Sequence, residues 1–278
     1  MRVSFKTRPQ NAEWGPMRDF WLEADRIDLY SAGWTFDHFY PIFSDPAGPC
    51  FEGWTMLSHL AALTTRIRLG VLVTGNTYRH PAVLANMAAT LDVASGGRLE
   101  IGLGAGWSED EHRAYGIPLP PWPERFDRLE ESCEVIHRLL TQEQTTFAGR
   151  HYHLTDARCE PKPIQRPRPP MVIGGKGEKR TLRIAARWAD QWNFPGGEPA
   201  ELRHKIEVLQ AHCADLGRDP AEIEISVKAE ADAEPEAFAR LTAAYREVGA
   251  HHIIAHFPAP HDPALLGMFA EHLAPMVA

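Results

Sequence analysis

The sequence alternates regularly between segments typical of β-strands and segments typical of α-helices. The run IRLGVLVTG (67–75) is almost continuously apolar, as in a strand that is buried on both faces. The segment 123–140 spaces its apolar residues three and four apart, as in an amphipathic helix. The predicted strands cover residues 2–7, 30–37, 67–75, 97–106, 171–175, 190–194, 222–229 and 251–257. The predicted helices cover residues 17–28, 54–64, 81–94, 123–140, 178–189, 199–217, 235–249 and 263–276.

Strict alternation of this kind predicts parallel βαβ units, and eight such units can close on themselves as a (β/α)8 TIM barrel. A doubly wound open sheet is the alternative, but it rarely needs eight repeats in a chain of 278 residues. Segment 145–154 (TTFAGRHYHL) is typical of a β-hairpin that turns at Ala-Gly, and the proline-rich segment 161–170 predicts an extended connection. We therefore predict a single α/β TIM-barrel domain over residues 1–278, with a small β-hairpin insertion.

Charge and composition exclude several classes of protein. The formal net charge of −8, from 37 acidic and 29 basic residues, argues against a nucleic-acid-binding protein. No run is long and apolar enough to predict a membrane span or a signal peptide. The four cysteines form no CxxC pair and the histidines form no HExxH motif, so we expect no metal site. Reduced thiols in a cytoplasmic protein are the expectation.

A TIM barrel carries its active site at the C-terminal ends of its strands. Asp37 and His38 follow the second predicted strand, within the aromatic stretch TFDHFYP. Ionisable side chains in apolar surroundings need partners, because burying an unpaired charge is costly. A carboxylate can fix the tautomer of a histidine and hold it ready for proton transfer, so Asp37 and His38 are candidate catalytic residues. A rim pair that only satisfies its own hydrogen bonds is the alternative.

A glycine-rich turn follows the fifth predicted strand in VIGGKGEKRT. Gly174, Gly175 and Gly177 precede a helix, whose first amide groups favour an anion, and Lys176 adds positive charge. The turn therefore predicts a phosphate site. Lysines that are merely solvated at a helix start are the alternative interpretation.

The fourth predicted strand ends in GLGAGW, in which Trp107 follows Gly104, Ala105 and Gly106. This glycine spacing is not that of a dinucleotide fingerprint, and it can also serve close packing of neighbouring strands. Trp107 would project over the barrel mouth as one wall of a pocket for a flat ring, unless it is an ordinary rim residue.

Four segments of the sequence resemble a known family. They are TFDHF, the block from Leu69 to Pro118, RFDRLEE and PMVIGGKGEKRTLRIAARWADQWN. Together they are similar to the bacterial-luciferase-like monooxygenase superfamily, and within it to the oxidoreductases that use the deazaflavin coenzyme F420. The resemblance covers about residues 1–215, and the last 60 residues or so add only the barrel pattern.

The resemblance implies a TIM barrel whose coenzyme ring lies across the mouth, against the ends of the second, third and fourth strands. A bulge with a non-prolyl cis peptide at about Val73-Thr74 would back the ring. The tryptophans near the ring would be Trp34, Trp107 and Trp192. The residues assigned to coenzyme binding are Val73, Thr74, Gly75, Asn76, Gly104, Ala105, Gly106, Trp107, Gly174, Gly175, Lys176, Gly177 and Trp192.

The resemblance also implies a chemistry for the two candidate catalytic residues. Asp37 would orient His38, and His38 would move a proton while a hydride moves to or from the ring. An alcohol–ketone or ene–enone conversion of a small organic substrate is the expected reaction. Members that oxidise sugar phosphates carry an acid at the position of Trp107, so a more apolar substrate is expected here. Because barrels of this family are commonly dimers, we expect a homodimer.

Three other functions stay open at this point. A monooxygenase that uses reduced FMN and molecular oxygen belongs to the same superfamily, and lysines near the phosphate would suit either coenzyme. A non-redox phosphate-binding barrel would need a base at a strand end, for which Lys228 and Glu230 are the candidates. A coenzyme-binding protein without activity is the third. Neither the substrate nor the direction of hydride transfer follows from the sequence.

Overall fold

The computed structural model describes residues 1–232 and 234–276. Within them a parallel sheet closes into an eight-stranded barrel surrounded by helices, which confirms the predicted TIM-barrel fold. The strands are β1 (Arg2–Thr7), β2 (Tyr30–Thr35), β3 (Arg68–Val71), β4 (Thr74–Gly75), β5 (Leu99–Gly104), β6 (Thr145–Ala148), β7 (His153–Ala157), β8 (Met171–Gly174), β9 (Gln191–Phe194), β10 (Glu224–Glu230) and β11 (His252–Phe257). The helices are α1 (Trp14–Arg26), α2 (Gly53–Leu63), α3 (Pro81–Ala94), α4 (Glu109–Tyr115), α5 (Trp122–Thr141), α6 (Thr181–Trp188), α7 (Pro199–Leu216), α8 (Pro235–Glu247) and α9 (Ala264–Leu273).

The barrel runs in the order β1, β2, β3, β5, β8, β9, β10, β11 and back to β1, with every pairing parallel. The predicted third strand is divided, because Leu72 and Val73 separate β3 from the short β4, which pairs with β5. A non-prolyl cis peptide joins Leu72 to Val73. It lies one residue earlier than the Val73-Thr74 position that the family resemblance implied.

Strand alternation sorts side chains between the barrel interior and the surrounding helices. On β1, Val3 and Phe5 pack in the outer core, whereas Arg2, Ser4 and Lys6 point inward. The same alternation on the neighbouring strands fills the barrel in layers. The interior therefore receives polar side chains from β1 at every second position.

The layers of the interior differ in chemistry. At the base, the carboxylate of Glu100 accepts hydrogen bonds from Arg2 and Arg68. Near the top, an apolar layer closes the barrel below its mouth, and its members are Ala32, Trp34, Leu72, Val172 and Ile254. Trp34 thus lies beneath the mouth, with no exposed surface.

The hairpin of β6 and β7 is antiparallel, as predicted, but its turn spans Gly149 to Tyr152 rather than Ala-Gly alone. The carboxylate of Glu131 on α5 accepts hydrogen bonds from the backbone amides of Arg150, His151 and Tyr152, which explains the longer turn.

Helix α4 was not predicted. No helix among the described residues has the length and apolarity that a membrane crossing requires.

Helix α2 begins in direct contact with the strand that leads into the mouth. A Cβ atom on Gly53 would lie 2.1 Å from the carbonyl oxygen of Phe36, which follows β2. Glu52 caps the helix, because its carboxylate accepts hydrogen bonds from the amides of Trp54 and Thr55. The absence of a side chain at residue 53 therefore sets how closely α2 approaches the end of β2.

We expect Gly53→Ala to lower the free energy of unfolding by about 2 kcal/mol, because the added methyl group collides with backbone. The control is Gly267→Ala in α9, where a Cβ atom would meet nothing within 4 Å. That substitution should raise stability by about 0.5–1 kcal/mol, since alanine favours a helix. Urea unfolding at pH 7 measures both, and equal changes in the two variants would contradict the packing argument.

Candidate active site

A cavity of about 600 Å³ opens at the C-terminal ends of the barrel strands. This volume is in the range of sites for small molecules and cofactors. Most of the residues that the sequence singled out line it. They are Asp37, His38, Val73, Gly75, Gly104, Ala105, Gly106, Trp107, Gly174, Gly175, Lys176 and Gly177.

Three residues that were assigned to coenzyme binding lie outside the cavity wall. Thr74 is buried, and its hydroxyl accepts a hydrogen bond from Trp54 Nε1 at 3.1 Å. Asn76 is buried; its backbone N–H donates to the carbonyl of Gly104, and its side-chain Nδ2 has no hydrogen-bond partner among the described residues. Trp192 faces the outer core, because successive residues of β9 alternate and its neighbour Asn193 points to the cavity instead. The structure therefore does not bring these three side chains to the cavity, and their assignment to the coenzyme stays a prediction.

The partner of His38 is Glu111 of helix α4. Nδ1 of His38 lies 2.5 Å from Oε2 of Glu111, whose side chain has no exposed surface. An ionised carboxylate can only accept hydrogen bonds, so Nδ1 carries the proton. This leaves Nε2 as the ring nitrogen available to the cavity that His38 lines. A histidine with a fixed tautomer facing a cavity can accept or donate a proton there.

Glu111 is held by more than the histidine. Its carboxylate also accepts hydrogen bonds from the amide of Phe39 at 2.6 Å and from the hydroxyl of Tyr78 at 2.9 Å. Burial alone would raise the pKa of Glu111, but the contacts with His38 and Phe39 outweigh it and lower the pKa to about 2. The carboxylate is therefore ionised at neutral pH.

Asp37 does not orient His38, and this prediction was wrong. Its carboxylate accepts two hydrogen bonds from the Arg79 guanidinium, at 2.6 and 3.0 Å, and one from the Gly75 amide at 3.0 Å. Both residues line the cavity, but the Asp37 carboxylate is held by Arg79 and the His38 ring by Glu111. Arg79 also binds Glu52, which makes Asp37 part of the structure that joins the loop after β2 to β4.

One wall of the cavity is built from backbone. A Cβ atom on Gly104 or Gly174 would lie 2.5 or 2.7 Å from the side chain of Val73. Gly106 has a φ of 80°, and a Cβ atom there would lie 2.5 Å from Thr77 Oγ1. Glycine is therefore required for Val73 to pack between β5 and β8. The result is a surface with few projecting side chains.

The entrance is bordered by two aromatic rings. Phe43 is 85% exposed and stacks on Trp107, with ring centroids 5.4 Å apart and an interplanar angle of 5°. The Trp107 ring also meets His38 edge-on at 5.5 Å. Phe43 has a φ of 56°, an uncommon value for a bulky residue. The position of Trp107 at the mouth agrees with the prediction.

Sequence reasoning missed Glu111, which lies among three consecutive acids, Glu109, Asp110 and Glu111. Acids in a first turn followed by Gly116 in a left-handed C-terminal position are a helix signature that could have revealed α4. Nothing in the sequence states which of the three acids turns inward.

The opposite wall of the cavity is rich in charge, and of its residues the sequence singled out only Lys228, as a possible base of a non-redox barrel. The wall also carries Lys6 of β1, Arg8 just after β1 and His256 of β11. In the part of the chain that the structure describes, no group of three or more histidine, cysteine, aspartate or glutamate side chains could hold a metal ion.

We expect Glu111→Gln to lower the free energy of unfolding at pH 7 by about 2 kcal/mol, because a buried charge-assisted hydrogen bond to His38 is lost. The folded-state pKa of about 2 lies below the unfolded value, so this stabilisation is complete above about pH 4.5 and is lost as pH falls toward 2. Urea unfolding at pH 7 and pH 3 should therefore show a smaller difference from the unsubstituted protein at pH 3.

The control for this measurement is Asp110→Asn, since Asp110 is 73% exposed and pairs with Arg113 on the surface of the same helix. Its effect should stay within about 0.5 kcal/mol at both pH values. A difference for Glu111→Gln that is as large at pH 3 as at pH 7 would contradict the ionised, buried carboxylate.

Comparisons of the sequence identify relatives along most of the chain. Residues 4–273 match the family described as luciferase-like monooxygenase. An F420-dependent glucose-6-phosphate dehydrogenase of Kineococcus radiotolerans is 31% identical over 241 residues, which are 84% of this chain and 69% of that protein. An FMNH(2)-dependent dimethylsulfone monooxygenase of Pseudomonas putida is 30% identical over 167 residues, 60% of this chain and 45% of that protein. The matched region spans 45% to 62% of the length of six relatives, the Pseudomonas protein among them.

Solved structures share the fold. An F420-dependent secondary alcohol dehydrogenase, in complex with an F420-acetone adduct, superposes with a TM-score of 0.88 over the whole of both chains at 19% identity. The coenzyme F420-dependent tetrahydromethanopterin reductase of Methanopyrus kandleri reaches 0.83, also over both whole chains, at 16% identity. At such identities the likeness concerns the barrel alone. Together with the family match over residues 4–273, it shows that this chain belongs to the luciferase-like monooxygenase family.

Proposed function

We propose that the protein is an oxidoreductase that uses coenzyme F420 to transfer a hydride to or from a small organic substrate. The preferred reaction is the interconversion of an alcohol and a ketone, and the alternative is an ene–enone conversion. The observation that carries the proposal is the bond of 2.5 Å between His38 and Glu111, which leaves Nε2 of His38 for the cavity.

The geometry supports a specific task for His38. When bound, F420 supplies a ring carbon that accepts or donates a hydride. In alcohol oxidation Nε2 of His38 takes the hydroxyl proton of the substrate, and in ketone reduction it returns a proton to the carbonyl oxygen. The buried Glu111 carboxylate stabilises the imidazolium that exists after proton uptake. The rings of Phe36 and Trp107 pack edge-on against the His38 imidazole, with centroids 5.0 and 5.5 Å away.

The residues of the cavity fit a flat ring with a phosphorylated tail. The wall around Gly104 and Gly174 has no side chain at these two positions, where an added Cβ atom would collide with Val73. The turn from Gly174 to Gly177 leads to helix α6, whose N-terminus favours an anion. Lys176 lies in this turn, and its ammonium pairs with the Glu201 carboxylate at 2.9 Å, so a phosphate would compete with Glu201 for it. These residues would hold the ring and the tail phosphate.

A reduced-FMN monooxygenase is the second candidate, since FMN has a similar ring and one phosphate. The dimethylsulfone monooxygenase of Pseudomonas putida supports it, but that match covers 60% of this chain. The relative named for F420 matches 84%. The relatives therefore favour F420 as the coenzyme of this proposal.

We also propose that the protein works in the cytoplasm. Its four cysteines are all free thiols, as is usual in a reducing compartment, and they are Cys50, Cys133, Cys159 and Cys213.

Titration with the two coenzymes tests the proposal directly. We expect F420 to quench tryptophan fluorescence with a Kd in the micromolar range or below, and FMN to bind about tenfold more weakly or worse, a difference of about 1.4 kcal/mol. Trp107 and Trp122 line the cavity and serve as the reporting groups. The reverse preference would support the FMN monooxygenase, and binding of neither coenzyme would exclude both candidates.

We expect His38→Gln to lower kcat by about 10²- to 10⁴-fold, the usual contribution of a general acid or base. The Kd for F420 should change less than about threefold, because the proton is moved at the substrate rather than at the coenzyme. His59→Gln is the matched control, since His59 is exposed on α2 and does not line the cavity. Equal losses in kcat and in coenzyme affinity would indicate a structural role for His38.

A further inference from the structure

The cavity wall formed by β1, β10 and β11 is cationic. Lys6 lies on the inward side of β1, Arg8 lies just after the end of that strand, and Lys228 lies on the inward side of β10; all three line the cavity. Lys6 and His256 are direct partners in the pairing of β1 with β11. His256 is likewise the partner of Glu230 on β10. Strand register therefore brings these side chains to one place at the mouth.

One carboxylate, that of Glu230, pairs with side chains of this wall. Glu230 binds Lys228 Nζ at 2.6 Å, His256 Nδ1 at 2.6 Å and, more weakly, Arg8 Nη2 at 3.4 Å. Lys6 Nζ donates to the carbonyl of Leu72 at 2.8 Å, and no carboxylate of the described residues pairs with it. Burial lowers the pKa of His256 to about 4, so this ring is neutral at pH 7. Three cations against one carboxylate leave an excess of two positive charges when Lys6 is protonated.

His256 supplies an independent sign of a ligand. Its side chain is 1% exposed, lines the cavity, and has an Nε2 atom without a hydrogen-bond partner among the described residues. Because Nδ1 donates to the Glu230 carboxylate, Nε2 of the neutral ring is an acceptor. A buried acceptor left alone is unfavourable, and a ligand hydroxyl would satisfy it.

The position of the cationic wall distinguishes it from the proposed coenzyme wall. The glycines belong to β5 and β8, the fourth and fifth strands around the barrel. Lys6 belongs to β1, Arg8 follows β1, and Lys228 belongs to β10. These strands, with β11 between them, lie across the mouth from β5 and β8. His38 follows β2 and borders both sides. A molecule that lies between His38 and the cationic wall would occupy the place of the substrate.

We propose that Lys6, Arg8, Lys228 and His256 bind the anionic end of the substrate, a carboxylate or phosphate with a hydroxyl beside it. The inference rests on the proposed oxidoreductase function, since it names the class of molecule that His38 would act on. It differs from the expectation of a more apolar substrate that was drawn from Trp107, and the binding experiment below decides between the two.

The test measures anion binding by calorimetry on the full chain without added coenzyme. The probes are L-lactate, inorganic phosphate and 1,2-propanediol, which replaces the carboxylate of lactate by a neutral group. We expect lactate and phosphate to bind and the diol to give no measurable heat. Lys6→Met and Lys228→Met should each weaken lactate binding tenfold or more. Arg240→Met, at a residue that is 73% exposed on α8, is the control and should stay within twofold.

A second readout follows from the charge state of Lys6. Burial, with Lys228 and Arg8 nearby, lowers the pKa of Lys6 to about 7, and Glu230 only partly opposes them. A bound anion favours the charged ammonium, so lactate binding at pH 8 should take up protons. Heats in two buffers of different ionisation enthalpy measure this uptake. Lys228→Met should keep some uptake and Lys6→Met should lose it, a difference that a general loss of structure would not produce.

Unchanged lactate affinity in both lysine variants, or equal binding of lactate and the diol, would overturn the inference. If Lys6→Met does not fold, Lys228→Met and Arg8→Gln carry the same test. The cations could instead bind a negative group of the coenzyme, so lactate binding is also measured with F420 at saturation. Lactate that still binds supports a substrate site. Lactate that is displaced assigns the cations to the coenzyme and overturns the inference. Failure of F420 itself to bind would contradict the proposed function. The lactate titration without coenzyme would still show whether the cationic wall binds an anion.

Discussion

A carboxylate that is buried away from water must be hydrogen-bonded or neutralised. At the mouth of this barrel, Glu111 carries such a buried carboxylate. Its oxygens accept from the His38 ring, the Phe39 amide and the Tyr78 hydroxyl. These donors lie after β2 and after β4, while Glu111 itself belongs to α4. One buried charge therefore sets the relative positions of three segments that the barrel strands alone leave undefined. The tautomer of His38 is a consequence of the same requirement.

The mouth divides into two walls because of how residues alternate on strands. On β5 and β8 the inward positions at the top are Gly104 and Gly174, and Val73 fills the space between them. On β1 and β10 the inward positions at the same height are Lys6 and Lys228. A wall that is uncharged at Val73, Gly104 and Gly174 thus faces a charged one across a cavity of about 600 Å³. Such an arrangement can hold two molecules of different chemistry in contact, which a two-substrate reaction requires.

The fold was predictable because its signal is local and repeated: apolar runs such as IRLGVLVTG and spaced helices such as 123–140 each indicate their own element. The site was predictable only in part, since its contacts join distant segments. Asp37 and His38 are neighbours in sequence but bind different partners, Arg79 and Glu111. Strand alternation places Trp192 in the outer core, whereas its neighbour Asn193 lines the cavity. Polar residues at every second position of β1 and β10 were visible in the sequence. Their convergence at one wall depends on barrel closure, which no single segment encodes.

The residues at the entrance of the cavity differ in exposure from His38 and Glu111 beneath them. Phe43 is 85% exposed, and its loop is tied to the body of the protein through Gln10, whose amide bonds both backbone groups of Ile42. Surface substitutions away from such ties change stability little. Glu111 and His38, by contrast, are enclosed. Selection can therefore alter which molecules enter by exchanging one exposed ring, while the enclosed pair of His38 and Glu111 stays as it is. Substrate range and reaction type can diverge independently in proteins built this way.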